Sequence, residues 1–434
     1  MTSSNAVAHR GEILHCLDNP SEHPESVQHL ADGVLLVEDG HITACKPSDA
    51  ILDSLPIGTH IQEHRDALIV PGFIDTHIHF PQCDIIASYG TQLLDWLETY
   101  TFPAEGKLGD RAHSDELAAF FLDELLRNGT TTALVFGTSH PQSVDSFFTE
   151  AQKRQLRMVC GKVMMDRNAP DYLLDTPESA RTDCQALIDR WHGVDRLGYA
   201  VTPRFAPTSS DQQLQVAGEL LANNPGVHLH THLAENTDEC DWVRELFPDQ
   251  SSYLDVYDHF GLLGRRSVFA HGIHLDNSDW QRLAATHSNL AFCPTSNLFI
   301  GSGLFQYQTA LKHQVSVGLG TDVGGGDSFS LLRTLNEAYK VQQLQRYNFD
   351  VWQMLYTATL GGARALDLHS SIGNFEIGRE ADFVVLDCNA TELIARRTKN
   401  SQAIDEKLFA LIMLGDDRAI RATYSLGNCV HRRG

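Results

Sequence analysis

The feature that most constrains this chain is residues 68–79, LIVPGFIDTHIH, an apolar and β-prone run that ends in two histidines separated by one residue. Side chains on a β-strand alternate between its two faces, so His77 and His79 would project together from the end of one strand. On a helix, two ligands of one metal would instead lie three or four residues apart. The chain contains 22 histidines, so a chance pair on a polar face is the alternative. The pair predicts a shared metal ion whose other ligands come from elsewhere in the sequence.

Length, charge and cysteine content limit the class of protein. A chain of 434 residues is too long for most single cores and predicts one large domain with a smaller one. A net charge of −23 disfavours binding to nucleic acid or to an anionic membrane surface. The nine cysteines are scattered without a C-x-x-C pair, the N-terminus lacks an apolar signal core, and no apolar run approaches the roughly 18 residues of a membrane helix. We therefore expect a cytoplasmic protein with reduced thiols.

The two ends of the chain have the pattern of short strands and turns. Residues 33–42 predict a hairpin with a turn at Asp39 and Gly40. Residues 377–387 predict a turn followed by a buried strand. We expect the two ends to pair in one small β domain and to leave the middle of the chain as the main body.

The middle of the chain alternates strand-like and helix-like segments, which is typical of a parallel α/β fold. The predicted strands are 67–79, 131–137, 157–165, 197–204, 227–233, 267–271, 289–295 and 315–322, and the clearest helices between them are 115–128, 177–191 and 211–223. Eight such units predict a closed (β/α)8 barrel of the TIM type, in which catalytic residues lie at the C-terminal ends of the strands.

The fifth predicted strand contains three histidines that share one face, His228, His230 and His232. Successive members of this set rise by roughly 6.6 Å along the strand, so only the last is expected to reach a metal at its top. We predict His232 as the third metal ligand, and we interpret the other two as hydrogen-bonded histidines of the barrel interior.

Three further side chains follow predicted strand ends. Glu235 could pass a proton between a metal-activated water and a substrate nitrogen, or it could be an acid in the first turn of the next helix. Asp322 could complete a site of three histidines and one carboxylate, or form an Asx turn before the glycines at 324–326, which we interpret as a flexible turn. His271 could bond to the attacking water or stabilise charge in the transition state.

These residues resemble the metal-dependent amidohydrolase superfamily, whose members show Pro-Gly-x-x-Asp-x-His-x-His in the first strand, a histidine in the fifth, a histidine in the sixth and an aspartate in the eighth. Within that superfamily the resemblance is closer to the guanine deaminase family. The segments that carry it are HFPQ at 79–82, DWLETYTFP at 95–103, GKVMMDR at 161–167, TPRFAPT at 202–208 and CPTSNLFIGSGLF at 293–305.

The resemblance implies roles for individual residues. It implies one Zn²⁺ per chain, held by His77, His79, His232 and Asp322. It implies catalytic roles for Glu235 as proton shuttle and for Asp322 and His271 beside the attacking water. It implies contacts to a purine from Gln82, Arg204 and Phe205. Lys162 lies in a Gly-Lys-Val context shared with the deaminases, so we predict a structural lysine and not the carboxylated bridge of two-metal relatives.

The expected activity is hydrolytic deamination of guanine to xanthine and ammonia. Arg204 is a fixed donor fork suited to a purine carbonyl, whereas adenine would present an amino group there. Gln82 can both donate and accept a hydrogen bond, and Phe205 could stack on the purine ring or serve as packing. The aromatic stretch from Leu93 to Glu105 is either a lid or ordinary packing at the barrel mouth.

Other functions remain open at this stage. The alternatives are an aminohydrolase of the same superfamily acting on a triazine, a pterin or an adenosine-like compound, a two-metal ring-opening amidohydrolase, and a non-catalytic scaffold. A site of the cytidine deaminase type is disfavoured because its H-x-E and P-C-x-x-C pattern is absent from the sequence. The resemblance predicts a homodimer and divides the chain into 1–70 and 373–434, which form a small β-sandwich, and 71–372, which form the barrel.

Overall fold

A computed structural model describes residues 6–89 and 92–434. These residues contain sixteen strands in two sheets. The strands are β1 Val7–Cys16, β2 Val27–Glu38, β3 His41–Pro47, β4 His60–Pro71, β5 Phe73–His79, β6 Thr130–Phe136, β7 Arg157–Gly161, β8 Val163–Met164, β9 Gly198–Pro203, β10 His228–Leu233, β11 Ser267–His271, β12 Asn289–Phe292, β13 Val317–Leu319, β14 Phe383–Asp387, β15 Ile420–Ser425 and β16 Asn428–Arg432.

Helices occupy most of the remaining described chain. They are α1 Ser48–Ile51, α2 Leu93–Trp96, α3 Phe102–Gly106, α4 Arg111–Arg127, α5 Pro141–Lys153, α6 Pro177–Trp191, α7 Asp211–Asn223, α8 Thr237–Leu246, α9 Tyr253–His259, α10 Asn277–Thr286, α11 Pro294–Phe299, α12 Tyr307–Lys312, α13 Leu331–Leu344, α14 Val351–Ala358, α15 Leu360–Ala365, α16 Glu392–Lys399 and α17 Ile404–Leu414. A π-helix, Leu97–Thr101, joins α2 to α3. Short 3₁₀ turns lie at Pro24–Ser26, Leu52–Ser54, Phe80–Ile85, Lys107–Gly109, Asp171–Leu173, Ala206–Thr208 and Asp417–Ala419.

The central sheet is the predicted barrel. Its strands follow the order β5-β6-β7-β9-β10-β11-β12-β13, with the short β8 on β9, and each neighbouring pair is parallel. Backbone hydrogen bonds from Asp322 N to His77 O (2.9 Å) and from His79 N to Val323 O (2.8 Å) join the end of β13 to β5 and close it. The prediction of an eight-stranded α/β barrel is confirmed, and the carboxyl ends of its strands lie at one rim.

The second sheet combines both ends of the chain, as predicted. Its order is β16-β15-β14-β4-β1-β2-β3, and β14 from the C-terminal segment pairs antiparallel with β4 from the N-terminal segment. The predicted hairpin turn is present between β2 and β3, where Asp39 and Gly40 have φ angles of 48° and 80°. Two successive residues with positive φ form the tight turn that Asp-Gly favours.

The predicted strand 67–79 is wrong as a single element, because the chain passes from one sheet to the other at Gly72. A Cβ at Gly72 would lie 2.1 Å from the Thr131 hydroxyl oxygen, so this position brings two backbone segments too close for a side chain. The seventh barrel strand is also shorter than predicted. It ends at Phe292, because Pro294 occupies the first turn of α11, where a missing N–H costs nothing.

The helix boundaries agree more closely with those predicted from the sequence than the strand boundaries do. The helices α6 and α7 begin and end where the apolar periodicity predicts. Helix α4 begins earlier than expected, since the Asp110 side chain accepts a hydrogen bond from His113 N and caps it. No helix in residues 6–89 and 92–434 has both the length and the apolar character needed to cross a membrane.

Candidate metal centre and active site

The predicted ligands meet at the carboxyl rim of the barrel. His77 and His79 end β5, His232 lies near the end of β10, His271 ends β11, and Asp322 follows β13. All of them except His77 line one cavity. Four strand ends that are distant in the sequence thus supply one cluster of imidazoles and a carboxylate.

Three distances between donor atoms of these side chains match those expected around one tetrahedral cation. The Asp322 Oδ1 atom lies 3.2 Å from His77 Nε2 and 3.4 Å from His79 Nε2, and the His79 and His232 Nε2 atoms lie 3.3 Å apart. Four ligands at about 2.0 Å from a zinc ion lie about 3.3 Å from one another in a tetrahedron. Among the described residues, His77 Nε2 is buried and has no hydrogen-bond partner. A cation held between these atoms would satisfy it.

The outer nitrogens of two ligands are fixed by hydrogen bonds. His232 Nδ1 donates to the Arg204 carbonyl oxygen at 2.7 Å, which leaves the Nε2 lone pair facing the centre. His77 Nδ1 lies 2.7 Å from His230 Nε2. Burial lowers the pKa of His77 to about 3 and the pKa values of His79 and His232 well below the ordinary value. All three rings are therefore neutral, which is the form that binds metal.

The backbone at three strand ends is strained. Ala234, His271 and Asp322 have φ angles of 47°, 73° and 51°, in the left-handed region that residues other than glycine seldom adopt. Such conformations cost roughly 1–3 kcal/mol each and concentrate at functional sites. Here they occur in two of the predicted site residues and directly before the predicted shuttle, Glu235.

Glu235 faces the cavity and is not part of the next helix. Asn236 is the N-cap of α8, and the Glu239 carboxylate completes the capping box and accepts a hydrogen bond from Glu235 N at 2.9 Å. The alternative reading of Glu235 as a capping or first-turn acid is therefore wrong. Burial, followed by the charges of Asp322 and Glu239, raises the pKa of Glu235 well above its ordinary range. A carboxyl group with this property can hold a proton near neutral pH and deliver it.

Asn297 in α11 and Ser302, which follows that helix, hold His271 and Glu235 in place. Ser302 Oγ donates to Glu235 Oε1 at 3.0 Å, and Asn297 Nδ2 lies 2.8 Å from His271 Nδ1. The other edge of the imidazole, His271 Nε2, lies 3.3 Å from Glu235 Oε2 and 3.8 Å from Asp322 Oδ2. The acid, the imidazole and the ligand carboxylate thus surround one position at which a water could lie.

The predicted substrate residues line the same cavity. Gln82, Arg204 and Phe205 are buried and border it together with the metal cluster. Arg204 Nη1 donates to both oxygens of Glu105 at 2.9 and 2.8 Å, and Gln82 Nε2 donates to Glu105 Oε1 at 3.0 Å. Phe205 packs edge to face against Trp242, with an interplanar angle of 77° and ring centroids 6.3 Å apart. The predicted site residues therefore line one cavity, apart from His77, whose Nε2 lies 3.2 Å from the cavity-lining Asp322.

The aromatic stretch packs against the barrel mouth and forms a wall of this cavity. Leu93, Trp96 and Leu97 line it and belong to an apolar cluster that includes Phe205 and Ile300. Of the two interpretations drawn from the sequence, a lid or ordinary packing, the structure shows packing at the barrel mouth.

Comparison with known proteins agrees with this geometry. The family model described as the amidohydrolase family matches residues 68–430. The chain belongs to the amidohydrolase family. It is 50% identical to the guanine deaminase of Escherichia coli (strain K12), over 97% of this chain and 96% of that protein.

Solved structures of relatives match this amidohydrolase over nearly its whole length. The structure of E. coli guanine deaminase gives a TM-score of 0.96 at 50% identity and covers 98% of this chain and 100% of that one. The structure of guanine deaminase from C. acetobutylicum with bound guanine in the active site gives 0.89 at 27% identity and covers 98% and 100%. This chain and the two solved relatives therefore share both the barrel and the small β domain.

His228 and Lys162 of this amidohydrolase have structural partners. His228 Nε2 bonds to the Leu366 carbonyl oxygen at 2.8 Å inside the barrel. Lys162 is fully buried, and its Nζ donates to Asp175 Oδ2 at 2.6 Å. The lysine therefore makes an ion pair with a carboxylate, as expected of a structural residue.

Sequence reasoning missed three side chains of this site. Glu105 closes the aromatic stretch, and its only signal was an acid at the end of an apolar segment. Asn297 and Ser302 lie inside the segment 293–305 that carries the family resemblance, yet nothing in their spacing assigns them to His271 or Glu235. Each acts on a partner that is distant in the chain, so only the folded structure identifies them.

Proposed function

We propose that this amidohydrolase hydrolyses guanine to xanthine and ammonia with one zinc ion per chain. The observation that carries the proposal is that a cluster of three imidazoles and a carboxylate lies beside a buried acid and two side chains suited to a purine edge. The 50% sequence identity to E. coli guanine deaminase, which extends over 97% of this chain, supports guanine as the substrate. The guanine bound in the active site of the C. acetobutylicum enzyme supports it further.

His77, His79, His232 and Asp322 would hold the metal. Three neutral imidazoles and one carboxylate suit zinc, and the buried Nε2 of His77, which has no partner among the described residues, fits such an ion. When bound, zinc acts as a Lewis acid and lowers the pKa of a bound water to about 7, so that the water can react at neutral pH.

Glu235 moves the protons. Its carboxyl group takes a proton from the attacking water and delivers it to a ring nitrogen next to the carbon that carries the amino group. Attack at that carbon, C2 of guanine, gives a tetrahedral intermediate that carries a hydroxyl and an amino group. Glu235 then takes the proton of this hydroxyl and passes it to the amino group, so that ammonia leaves and the C2 carbonyl of xanthine forms. Ser302 holds the Glu235 carboxyl group through the 3.0 Å hydrogen bond described above. Asp322 and His271 orient the water by hydrogen bonds, because the position that the water would occupy lies between these two side chains and Glu235.

Arg204, Gln82 and Phe205 recognise the ring. The free N–H groups of Arg204 donate to the C6 carbonyl oxygen. Adenine would place an amino group against these donors, and an unpaired buried polar group discriminates strongly. Phe205 supplies an apolar surface for the face of the purine.

Three further properties belong to the proposal. The small β-sandwich consists of 1–70 and 373–434, and the barrel of 71–372. The protein functions in the cytoplasm, which is supported by the free state of all nine cysteines in the described part of the chain. The protein is a homodimer, which rests on the family resemblance and is tested by light scattering of the purified protein.

A substrate panel tests the activity. Purified zinc-loaded protein is incubated with guanine, adenine, a pterin and an amino-triazine, and ammonia is measured together with the ultraviolet absorbance change. We expect turnover of guanine far above that of the others, and loss of turnover after a chelator that zinc reverses. Preference for a triazine or a pterin, or full activity in the chelated protein, would refute the proposal.

A further inference from the structure

Glu105 is a buried carboxylate that joins the two polar side chains of the substrate pocket. It lies in α3, its side chain is 0% exposed, and it accepts hydrogen bonds from both Arg204 Nη1 and Gln82 Nε2. A buried carboxylate is costly unless it is paired and hydrogen-bonded. Here three hydrogen bonds satisfy it, two from Arg204 Nη1 and one from Gln82 Nε2. The carbonyl oxygen of Arg204 also accepts a hydrogen bond from the proposed metal ligand His232.

The network determines which atom of the Gln82 amide faces the ligand. Gly324 N donates to Gln82 Oε1 at 3.2 Å, while Gln82 Nε2 donates to Glu105 Oε1 at 3.0 Å. If the amide were reversed, its oxygen would face the carboxylate and its NH₂ group would face the N–H of Gly324. Both contacts would be repulsive, so the amide has one orientation. Its second Nε2 hydrogen is the group left for a ligand, and Gln82 is therefore a donor.

The same carboxylate orients and neutralises Arg204. Nη1 of the guanidinium is bound to both oxygens of Glu105, and the group lies over the Phe102 ring at 5.4 Å from its centroid. This leaves the Nε and Nη2 groups as donors in a fixed plane. Because the positive charge is balanced, this end of the pocket is suited to a neutral heterocycle and not to an anion.

We propose that Glu105 is a positioning residue that sets the purine selectivity of this site. By holding Gln82 and Arg204 as donors, it makes the pocket complementary to a ring with acceptors at both positions, namely a 6-carbonyl purine. The inference rests on the proposed function, because it concerns how the same site reads its substrate. Glu105 touches no reacting atom and acts only through its two partners.

The test compares guanine with 2-aminopurine, which keeps the amino group at C2 but lacks the carbonyl oxygen at C6. In Glu105→Gln, one carboxylate oxygen becomes an NH₂ group that must face Arg204 or Gln82, so the donor pattern is lost. We expect KM for guanine to rise at least tenfold with a smaller fall in kcat. We expect the ratio of kcat/KM for guanine to that for 2-aminopurine to fall at least tenfold, with the zinc content unchanged.

Glu98→Gln is the matched control. Glu98 lies in the same stretch, in the π-helix, and its side chain is exposed, so the same chemical change there should leave both substrates unaffected. If Glu105→Gln folds and loses activity on both substrates equally, Glu105 has only a structural role and the proposal is wrong.

A second measurement does not depend on the stability of the variant. In a crystal structure of the zinc-loaded wild-type protein with xanthine, Glu105 should bridge Gln82 and Arg204 while both donate to the ring. A Glu105 side chain rotated away from either partner would overturn the proposal. Wild-type protein inactive on guanine would refute the proposed function and this inference with it, whereas active protein with an unchanged ratio in Glu105→Gln would refute this inference alone.

Discussion

The buried ion pair of Lys162 and Asp175 distinguishes a structural lysine from a metal ligand. Both side chains are nearly inaccessible, at 0% and 8% exposed, and their charged atoms lie 2.6 Å apart. In Lys162→Met the aliphatic volume is largely kept and the charge is lost. Removing one partner of a buried ion pair leaves an unpaired charge and lowers the free energy of unfolding by about 3–5 kcal/mol. We expect the free energy of unfolding to fall by this amount, which is a large part of the roughly 5–15 kcal/mol typical of a folded protein.

Urea unfolding at neutral pH measures the loss, and the double variant Lys162→Met with Asp175→Asn isolates the ion pair. Because the double variant has no unpaired charge, it should be more stable than Lys162→Met alone. The control is Lys153→Met, since Lys153 is 63% exposed and pairs with Glu150 on the surface. It should change the stability by less than about 1 kcal/mol.

Metal analysis completes this test. If Lys162 is structural, the folded Lys162→Met protein retains one zinc per chain. An unchanged free energy of unfolding together with a loss of bound metal would refute the structural reading and favour a lysine bridge between two ions.

Three other side chains give further predictions. Glu235→Gln should abolish ammonia release while zinc remains bound, and near-normal release would exclude Glu235 from the mechanism. Arg204→Ala should raise KM and weaken the preference for guanine over other aminopurines, and unchanged selectivity would exclude it from recognition. Burial, followed by the charges of His64, His60 and Arg432, lowers the pKa of His9 from 6.5 to about 3, so its contribution to stability is present above pH 6.5 and is lost as pH falls towards 3. At pH 5 the loss is about 2 kcal/mol, and urea unfolding of His9→Gln should depend less steeply on pH; an equal dependence would contradict the assignment.

Much of this fold follows from patterns that are local in the sequence. The alternation of strands and helices predicted the barrel, and the spacing of His77 and His79 predicted two ligands on one strand face. The rule that catalytic side chains lie at the carboxyl ends of barrel strands then selected His232, Glu235 and Asp322 among many candidates. The two long helices α6 and α7 were predictable because each buries one apolar stripe.

Other features depend on contacts between distant residues. The division of 67–79 at Gly72 could not be predicted, since strands of both sheets have the same extended backbone and the same apolar pattern. The hydrogen bonds of Glu105 to Arg204 and of Ser302 to Glu235 join residues that are 99 and 67 positions apart. A buried acid gives no local signal of its partner, so its role is visible only once the barrel has formed.

The convergence of four side chains on one cation is tested most directly by anomalous diffraction at the zinc edge. Crystals of protein purified with zinc should show a single peak about 2.0–2.2 Å from His77, His79, His232 and Asp322, with one zinc per chain by elemental analysis. A peak elsewhere, or a second ion bridged by Lys162, would contradict the account.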